Sequence, residues 1–560
     1  TLAGFGQWVS KEFKNPDHAI KIIPRDDFNH KEVADEIKNA IKNYCQLTKN
    51  EREQSRNAAF EISRIALWKN LIRHYWEAYE FALVKASGKE VLYLEKERVE
   101  KLPETQQVLI DIQPVWRRVL VQQSIPEKLK PLEELSKNLW WSWNQDAIKL
   151  FESINNELWK EVGENPIVLL DRLPYDMIRK LEKDKAFIAN LTAVYTEFQE
   201  YMNQKPREDS PSVAYFTMEY GLHNSLKIYS GGLGLLAGDY LKEASDYNYN
   251  MIGVGLLYRF GYFRQIITAG GDQVAQCDAQ DFSKLPVIPV RDQSGQWISV
   301  QLMFPGRTVH ARIWKVQVGR IPLYLLDTDY EANNEADRTI TDNLYGGDNE
   351  NRFKQELLLG IGGIRTLREI GVKIDVYHCN EGHAAFTGIE RLREYIQNEN
   401  LTFPEAQEIV RASSLFTTHT PVPAGHDYFE EDLMRAYIAH YPSRLKIEWN
   451  QLMNLGRFNP SNVNEKFSMS VLAVNLSQEV NGVSRLHGQV SKEMFTQLWK
   501  GYMTSELHIG YVTNGVHLPT WLSRSWKDLY SKTFGEDFLK RQEDRVMWDK
   551  IIQVPAEDIW

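Results

Sequence analysis

Four places in the chain carry residue types whose spacing suits chemistry. The first is "IYSGGLGLLAGDYL", residues 228–241, where Gly231, Gly232 and Gly234 lead straight into a helical pattern. Without Cβ atoms, these residues let backbone N–H groups approach an anion closely, and the positive end of the following helix adds a favourable field. The pattern is neither G-x-G-x-x-G nor a Walker loop, so on the residues alone a phosphate cradle and an ordinary tight turn both stand. The second place combines "YHCNEGH", bearing His378, Cys379, Asn380, Glu381 and His383, with "FTTHTPVPAGHDYF", bearing His419, His426 and Asp427. Four histidines, a cysteine and acids invite a zinc reading. The spacing fits no usual ligand signature, because H-x4-H over a turn is neither the helical pair of metalloproteases nor a C-x2-C knuckle. Polar residues at strand ends more often line a substrate cleft or cap the next helix. The third is "TNGVHLPTW", residues 513–521, where Asn514 can donate to and accept from one sugar hydroxyl, with an Asn-Gly turn as the plain alternative. The fourth is "LYGGDNENRFKQE", residues 344–356, with Asp348 and Asn349 where a helix N-cap is also expected.

These stretches need a scaffold. From residue 211 onward "SVAYFTMEY", "MIGVGLLY", "IDVYHCN", "SSLFTTHT" and "IGYVTNGV" each read as an apolar strand running into a polar or Gly-containing turn. Helices such as "ENRFKQELLLGIGGIRTLREIG" lie between several of them. That alternation predicts an α/β fold built on a parallel, doubly wound, Rossmann-like sheet, with ligands at the carboxyl ends of its strands. Residues 297–330, rich in β-branched and aromatic types, predict antiparallel strands inserted into that scheme. Ahead of the sheet, residues 32–83 space their apolar side chains as a pair of helices, followed by the charged, weakly patterned "ASGKEVLYLEKERVEKLPETQQ", which reads as a linker. A second helical section runs from about Pro126 to Asn203, and its Trp140, Trp141 and Trp143 read as packing residues in preference to a sugar platform.

With 560 residues the chain exceeds one hydrophobic core, and about three to four domains are expected. Hydrophobic residues at 43% and charged residues at 25% are the composition of folded globular protein. A net charge of -10 and the lack of a basic stripe argue against a nucleic-acid partner and leave a neutral or small anionic ligand open. No run of about 18 apolar residues and no signal-like leader occur, so no membrane partner is expected. Cys45, Cys277 and Cys379 lack CxxC spacing, which points to a reducing compartment and a cytoplasmic location. The 16 tryptophans suit stacking on sugar rings, although a large core uses them equally well. The chain opens on "TLAGFGQWV" without Met and stops at "VPAEDIW", as a segment of a longer protein would.

Seven motifs, "AYFTMEYGLHNSLKIYSGGLGLLAGDYL", "GVGLLYRFGYFRQ", "LYGGDNENRFKQE", "YHCNEGHAAF", "FTTHTPVPAGHDYF", "VNGVSRLHGQVSKEMF" and "VTNGVHLPTWL", recur in the order found in α-glucan phosphorylases. Over roughly residues 127–560 the chain resembles the amino-terminal half of their catalytic region, in the form of the shorter bacterial and archaeal branch. The resemblance implies the amino-terminal lobe of a two-lobed glycosyltransferase of the GT-B type, with residues 127–205 as its helical leader and 206–560 as its Rossmann-like lobe. It implies phosphorolysis of α-1,4-glucan by inorganic phosphate with release of glucose 1-phosphate, pyridoxal phosphate acting through its 5′-phosphate. Gly231, Gly232, Leu233 and Gly234 would then contact the substrate phosphate, with Gly232 close to the cofactor. His419 would contact the glucosyl unit and help stabilise an oxocarbenium-like transition state, Asn514 would bond a glucose hydroxyl, and Asp348 and Asn349 would sit in a mobile gate. No pair of glycosidase carboxylates can be nominated, and the phosphorylase scheme needs none because two phosphates handle the proton. The lysine that forms the Schiff base lies, in the family, in a second lobe expected beyond residue 560, so this chain alone is expected neither to hold the cofactor covalently nor to turn over. A homodimer is an option by the same resemblance.

Residues 1–88, from "TLAGFG" through "AIKIIPRDDFNHKEVADEIKNAIKNYCQLTKNEREQSRNAAFEISRIALWKNLIRHYWEAYEFAL", resemble the tail of an animal or fungal glycogen synthase, with 89–126 as the linker. Together the two resemblances imply a fusion of a glucan-building with a glucan-cutting enzyme. Two other classes stay open: a non-catalytic glucan-binding or regulatory protein, and a metal-dependent hydrolase using His378, His383 and His419.

Overall fold

The computed structural model describes residues 20–23, 29–65, 125–205, 207, 210–422 and 425–559. It divides into two units, Thr1–Arg117 and Arg118–Trp560. The stretches 1–19, 24–28 and 66–124, which hold "TLAGFG", the last third of the expected helix pair and nearly all of the expected linker, lie outside the described residues.

In the first unit two helices are described, α1 (His30–Gln46) and α2 (Lys49–Ile65). Neither contains Gly or Pro, and the break between them is set by Thr48, whose hydroxyl accepts from the Glu51 N–H at 3.4 Å while the Glu51 carboxylate accepts from the Thr48 N–H at 2.8 Å. This reciprocal cap satisfies two of the donors that a helix start leaves over.

The second unit begins with six short helices between Lys130 and Met202. Their brevity follows from repeated capping residues: the side chains of Asn144, Asn155, Asn165 and Asp184 each accept backbone N–H groups at a helix start. Trp140, Trp141 and Trp143 are buried, 3%, 2% and 5% exposed, which settles them as packing residues. Trp141 meets Phe151, Trp159 and His223 edge-on, while Trp140 packs on Phe198 and Tyr201. Asn138 ties this helical section to the sheet, its side chain donating to the Gly319 carbonyl at 3.0 Å and accepting from the Gly319 N–H at 2.9 Å.

The strands are β1 (Val213–Phe216), β2 (Met251–Leu256), β3 (Arg264–Ile267), β4 (Gln273–Gln276), β5 (Val287–Pro289), β6 (Ser299–Phe304), β7 (Arg307–Val318), β8 (Ile321–Asp327), β9 (Val376–Asn380), β10 (Ser414–Thr417), β11 (Tyr428–Phe429), β12 (Phe467–Ser468), β13 (Glu479–Gly482) and β14 (Ile509–Tyr511). The main sheet runs β14-β13-β10-β9-β1-β2-β8-β7-β5, with β6 on β7. It is parallel from β14 to β8; β6, β7 and β8 pair antiparallel where residues 297–330 predicted it, and β5, ahead of that stretch, adds a further antiparallel pairing on β7. β1 is buried along its whole length, as a central parallel strand must be. It pairs with β2 on one side and β9 on the other, so the chain leaves it in both directions and opens a crevice at its carboxyl end.

Three helices concern the site: α3 (Gly232–Asp246), α4 (Asn349–Leu357) and α5 (Arg524–Phe534). α4 passes through a π-helical turn, Leu358–Gly362, into a further helix that ends at Glu369. Gly360 lies in that turn, where a Cβ would come within 2.7 Å of the Phe386 Cβ, so glycine permits the close helix contact. Phe534, Phe538 and Met547 form a small separate core under α5.

Candidate active site

The glycine run sits where β1 hands over to α3. Gly231 is the N-cap in extended conformation, and added Cβ atoms at Gly231 and Gly232 would meet nothing within 4 Å, so this face of the loop is open to a ligand. The loop is already carrying an anion on its other side. Glu219, 2% exposed, places Oε2 at 2.7 Å from the Ser230 N–H and 3.3 Å from the Gly231 N–H. Its Oε1 accepts from the Tyr345 hydroxyl at 2.6 Å. The N–H groups of Gly232, Leu233 and Gly234 form the first turn of α3 and, among the described residues, find no acceptor. Gly234 is required for a different reason: a Cβ there would lie 2.5 Å from the Tyr229 Cβ and 2.8 Å from Glu219 Oε2.

Across the carboxyl ends of β1, β9, β10, β13 and β14 lies a cavity of about 270 Å³. Tyr215, His378, Thr417, His419, Asn481 and Asn514 are among its walls, and the glycine run is not. His378 is held by the Thr417 hydroxyl at 2.8 Å, which in turn donates to Asn481 at 3.0 Å. Burial lowers the His378 pKa to about 3, so the ring is neutral. His419 donates its backbone N–H to Glu381, while its Nε2 is buried with no partner in the chain. Burial also lowers its pKa to about 4, which makes it a neutral imidazole able to share one hydrogen bond with a sugar hydroxyl. Asn514 sits on an exposed turn whose backbone is fixed at both ends. Its own N–H reaches the Val483 carbonyl at 3.1 Å. Three residues on, the fully buried His517 donates its N–H to Asp239 at 3.1 Å and sets its ring between Thr520 and Asp246 at 2.8 and 3.0 Å. α3 therefore carries the glycine run at its start and the anchor of the Asn514 turn farther along.

Asp348 and Asn349 lie elsewhere, exposed at the start of α4 and outside the cavity wall. Asp348 caps that helix by accepting the Asn351 N–H at 2.9 Å. Behind this cap is a largely buried charge cluster, with Glu356 and His383 buried and Arg352 and Asp427 half-buried, that sequence spacing did not reveal. Arg352 donates to Asp427 at 3.0 Å, meets His383 at 3.0 Å and Glu356 at 3.4 Å, and lies over the Tyr345 ring at 4.3 Å. Burial, with Asp427 beside it, pushes the Glu356 carboxyl well above its ordinary range. Burial also opposes ionisation of Asp427, but His383 and the Arg352 guanidinium beside it hold its carboxyl below the usual range. His383, lowered to about 3 by burial and by Arg352, is neutral. Glu381 adopts a positive φ of 71° and is pushed up to about 8 by burial, and its Oε2 has no partner. Among the described residues no group of three His, Cys, Asp or Glu is arranged to hold a metal ion, and His378, His383 and His419 bond to separate neighbours.

A larger cavity, about 610 Å³, lies beyond His517 against Trp143, Asp246 and Arg320. Two of its charged groups are committed, Asp246 to Tyr201 and His517, and Arg320 to the Tyr201 carbonyl, while the Glu243 Oε2 on its wall has no partner. The smaller cavity, where His419 Nε2 is left free, is the better candidate. Glu219 and Arg352 are the members missed from the sequence. Glu219 was visible in "TMEYGLHN" as an acid one turn past a strand, a weak signal without the fold.

The family model described as "Carbohydrate phosphorylase" matches residues 364–546, and one described as "Protein of unknown function (DUF3417)" matches residues 125–226. The chain is 40% identical over 448 residues to maltodextrin phosphorylase of Thermococcus litoralis, covering 79% of this chain and 53% of that protein. It is 40% identical over 468 residues to glycogen phosphorylase of Mycobacterium tuberculosis, covering 79% and 54%, and 37% identical over 439 residues to that of Aquifex aeolicus, covering 78% and 62%. The chain thus spans about half the length of the first two of these curated relatives. The matches support the glycogen and maltodextrin phosphorylase family for this chain.

Proposed function

We propose, with that family as premise, that the chain forms the amino-terminal wall of an α-1,4-glucan phosphorylase, the first lobe of a GT-B enzyme. The reaction transfers a glucosyl unit from the end of a glucan to inorganic phosphate with retention: the C1–O4 bond breaks, a phosphate oxygen bonds to C1, and O4 leaves with a proton. The observation that carries the reading is His419 Nε2, buried at the carboxyl end of a parallel sheet, without a partner, in the same cavity wall as Asn514. A neutral imidazole and a primary amide suit hydroxyl groups. The free N–H groups of Gly232, Leu233 and Gly234 suit an anion, which in this reaction is phosphate. Asp348 and Asn349 belong to the turn that closes over the sugar.

Pyridoxal phosphate, when bound, supplies a phosphate group beside the substrate phosphate for proton transfer, and Gly232, unobstructed and exposed, is the residue of this chain that would border it. The Schiff-base lysine belongs to a second lobe outside this chain. For the first unit we propose the tail of a glycogen synthase in the same parent protein, a cytoplasmic fusion that acts on glucan from both directions. Homodimerisation is the quaternary arrangement that fits the family.

The test is phosphate-dependent release of glucose 1-phosphate from a linear maltooligosaccharide by the parent protein, beside its His419→Ala and Asn514→Ala variants. Each variant is expected to lose roughly a hundredfold in turnover, the scale of removing one preorganised transition-state contact. No release by a folded wild-type parent replete with cofactor would overturn the reading, and maltooligosaccharide binding without release would turn it into the non-catalytic glucan-binding protein.

A further inference from the structure

The glycine loop and the 344–349 turn are separate in sequence, yet one carboxylate holds both. Glu219 Oε2 takes the N–H groups of Ser230 and Gly231 at 2.7 and 3.3 Å, and Oε1 takes the Tyr345 hydroxyl at 2.6 Å. No lysine or arginine is paired with this buried carboxylate among the described residues, and its partners are the loop amides, the Ser230 hydroxyl at 3.4 Å and one phenol. Tyr345 reaches it from a strained position, since its φ is +56°, a left-handed backbone that a bulky residue adopts only when its surroundings dictate it. Those surroundings are visible. The Arg352 guanidinium, itself fixed by Asp427 and His383, lies over the Tyr345 ring at 4.3 Å.

We propose that Glu219 and Tyr345 are a positioning pair that sets the glycine loop and couples its conformation to the 344–349 turn. This rests on the reading that the loop receives phosphate. With Ser230 and Gly231 occupied from beneath, the loop presents only the Gly232, Leu233 and Gly234 amides, on the face where a Cβ at Gly232 would find open space. A shift of the 344–349 turn withdraws the Tyr345 hydroxyl from Glu219. The carboxylate, left with two backbone donors and the Ser230 hydroxyl at 3.4 Å, then no longer fixes the loop. Closure of the turn and readiness for the anion become one event. Arg352, as the post on which Tyr345 leans, holds the hydroxyl against Glu219.

Two readouts test the pair. In the parent protein, Tyr345→Phe keeps the ring and the Arg352 contact and removes only the hydroxyl. Amide exchange is expected to speed up together in peptides covering 228–234 and 344–349, and the KM for phosphate to rise about three- to tenfold, the equivalent of one hydrogen bond. Glu219→Gln keeps an oxygen for the two N–H groups and an amide for the Tyr345 oxygen, so it is expected to retain loop protection, whereas Glu219→Ala is expected to lose it. Exchange that changes only within 344–349 in Tyr345→Phe, or an Ala variant whose loop stays protected, overturns the pair. The exchange readout needs no turnover, so a wild-type parent that releases no glucose 1-phosphate counts against the phosphorylase reading and not against the coupling.

Discussion

Two neighbouring parts of the site treat polar groups in opposite ways. Around the glycine loop and Arg352, most charged groups meet partners from distant parts of the chain, Glu219 with Ser230, Gly231 and Tyr345, and Arg352 with Asp427 and His383, although Glu356 Oε2 and His383 Nδ1 there have none. Around the cavity, buried atoms are left over: His419 Nε2, Thr418 Oγ1 and Glu381 Oε2 have no partner. Leaving a buried polar atom unpaired costs free energy, so the chain keeps such atoms where something else will meet them. The satisfied part fixes geometry, and the unsatisfied part waits for a ligand.

This contrast is sharpest when stability and binding are measured on the same variants. Arg352→Met removes the cation and strands the half-buried Asp427, and its unfolding free energy is expected to fall by on the order of 1–3 kcal/mol in urea titration. His419→Ala deletes a side chain whose ring nitrogen has no partner, and is expected to stay within about 1 kcal/mol of wild type while losing turnover. If both variants lose equal stability, the division between fixing and waiting groups fails.

Glu381 tests the waiting side by pH. Its folded carboxyl is raised by burial from 4.5 to about 8, so between those values the folded state keeps a proton that the unfolded state has lost. Stability therefore falls as pH rises through that window, by about 1.4 kcal/mol per pH unit for one proton. Glu381→Gln still accepts the His419 N–H and does not titrate, so its urea midpoint is expected to run flatter than wild type between pH 5 and pH 8. Parallel pH curves for the two proteins would show that Glu381 ionises normally in the fold.

Much of the frame was legible in the sequence because it is local. The strands of the parallel sheet end in short polar turns, and the antiparallel insertion announced itself by composition over 297–330. The packing role of Trp140, Trp141 and Trp143 followed from helical spacing. The glycine run was half legible: its supply of free N–H groups could be read, but not that Glu219 takes two amides of the same turn. That contact spans only 11 residues to Ser230, yet its third partner, Tyr345, is 126 residues away. Arg352 and Asp427 are 75 apart, and nothing in either local pattern marks them as a pair. The pairings depend on the crevice that β1 opens between β2 and β9, which exists only once the sheet has formed.

The smallest expected effect decides how far the contrast extends toward the surface. Asp348 is exposed, and the geometry around it accounts for a helix cap: its carboxylate takes the Asn351 N–H at 2.9 Å, and Gly347 before it turns with a φ of +83°. Losing that cap in Asp348→Ala is expected to cost about 1 kcal/mol of stability. Asp348→Ser can restore the cap, because a serine hydroxyl also accepts from the first turn, but it does not restore the carboxylate. If Asp348 also meets the sugar, the Ser variant regains stability and keeps a KM for glucan raised about two- to fivefold, the scale of one exposed hydrogen bond. A Ser variant with wild-type stability and wild-type KM assigns Asp348 wholly to the fixing side, and moves the boundary between the two parts of the site inward to the Tyr345 hydroxyl.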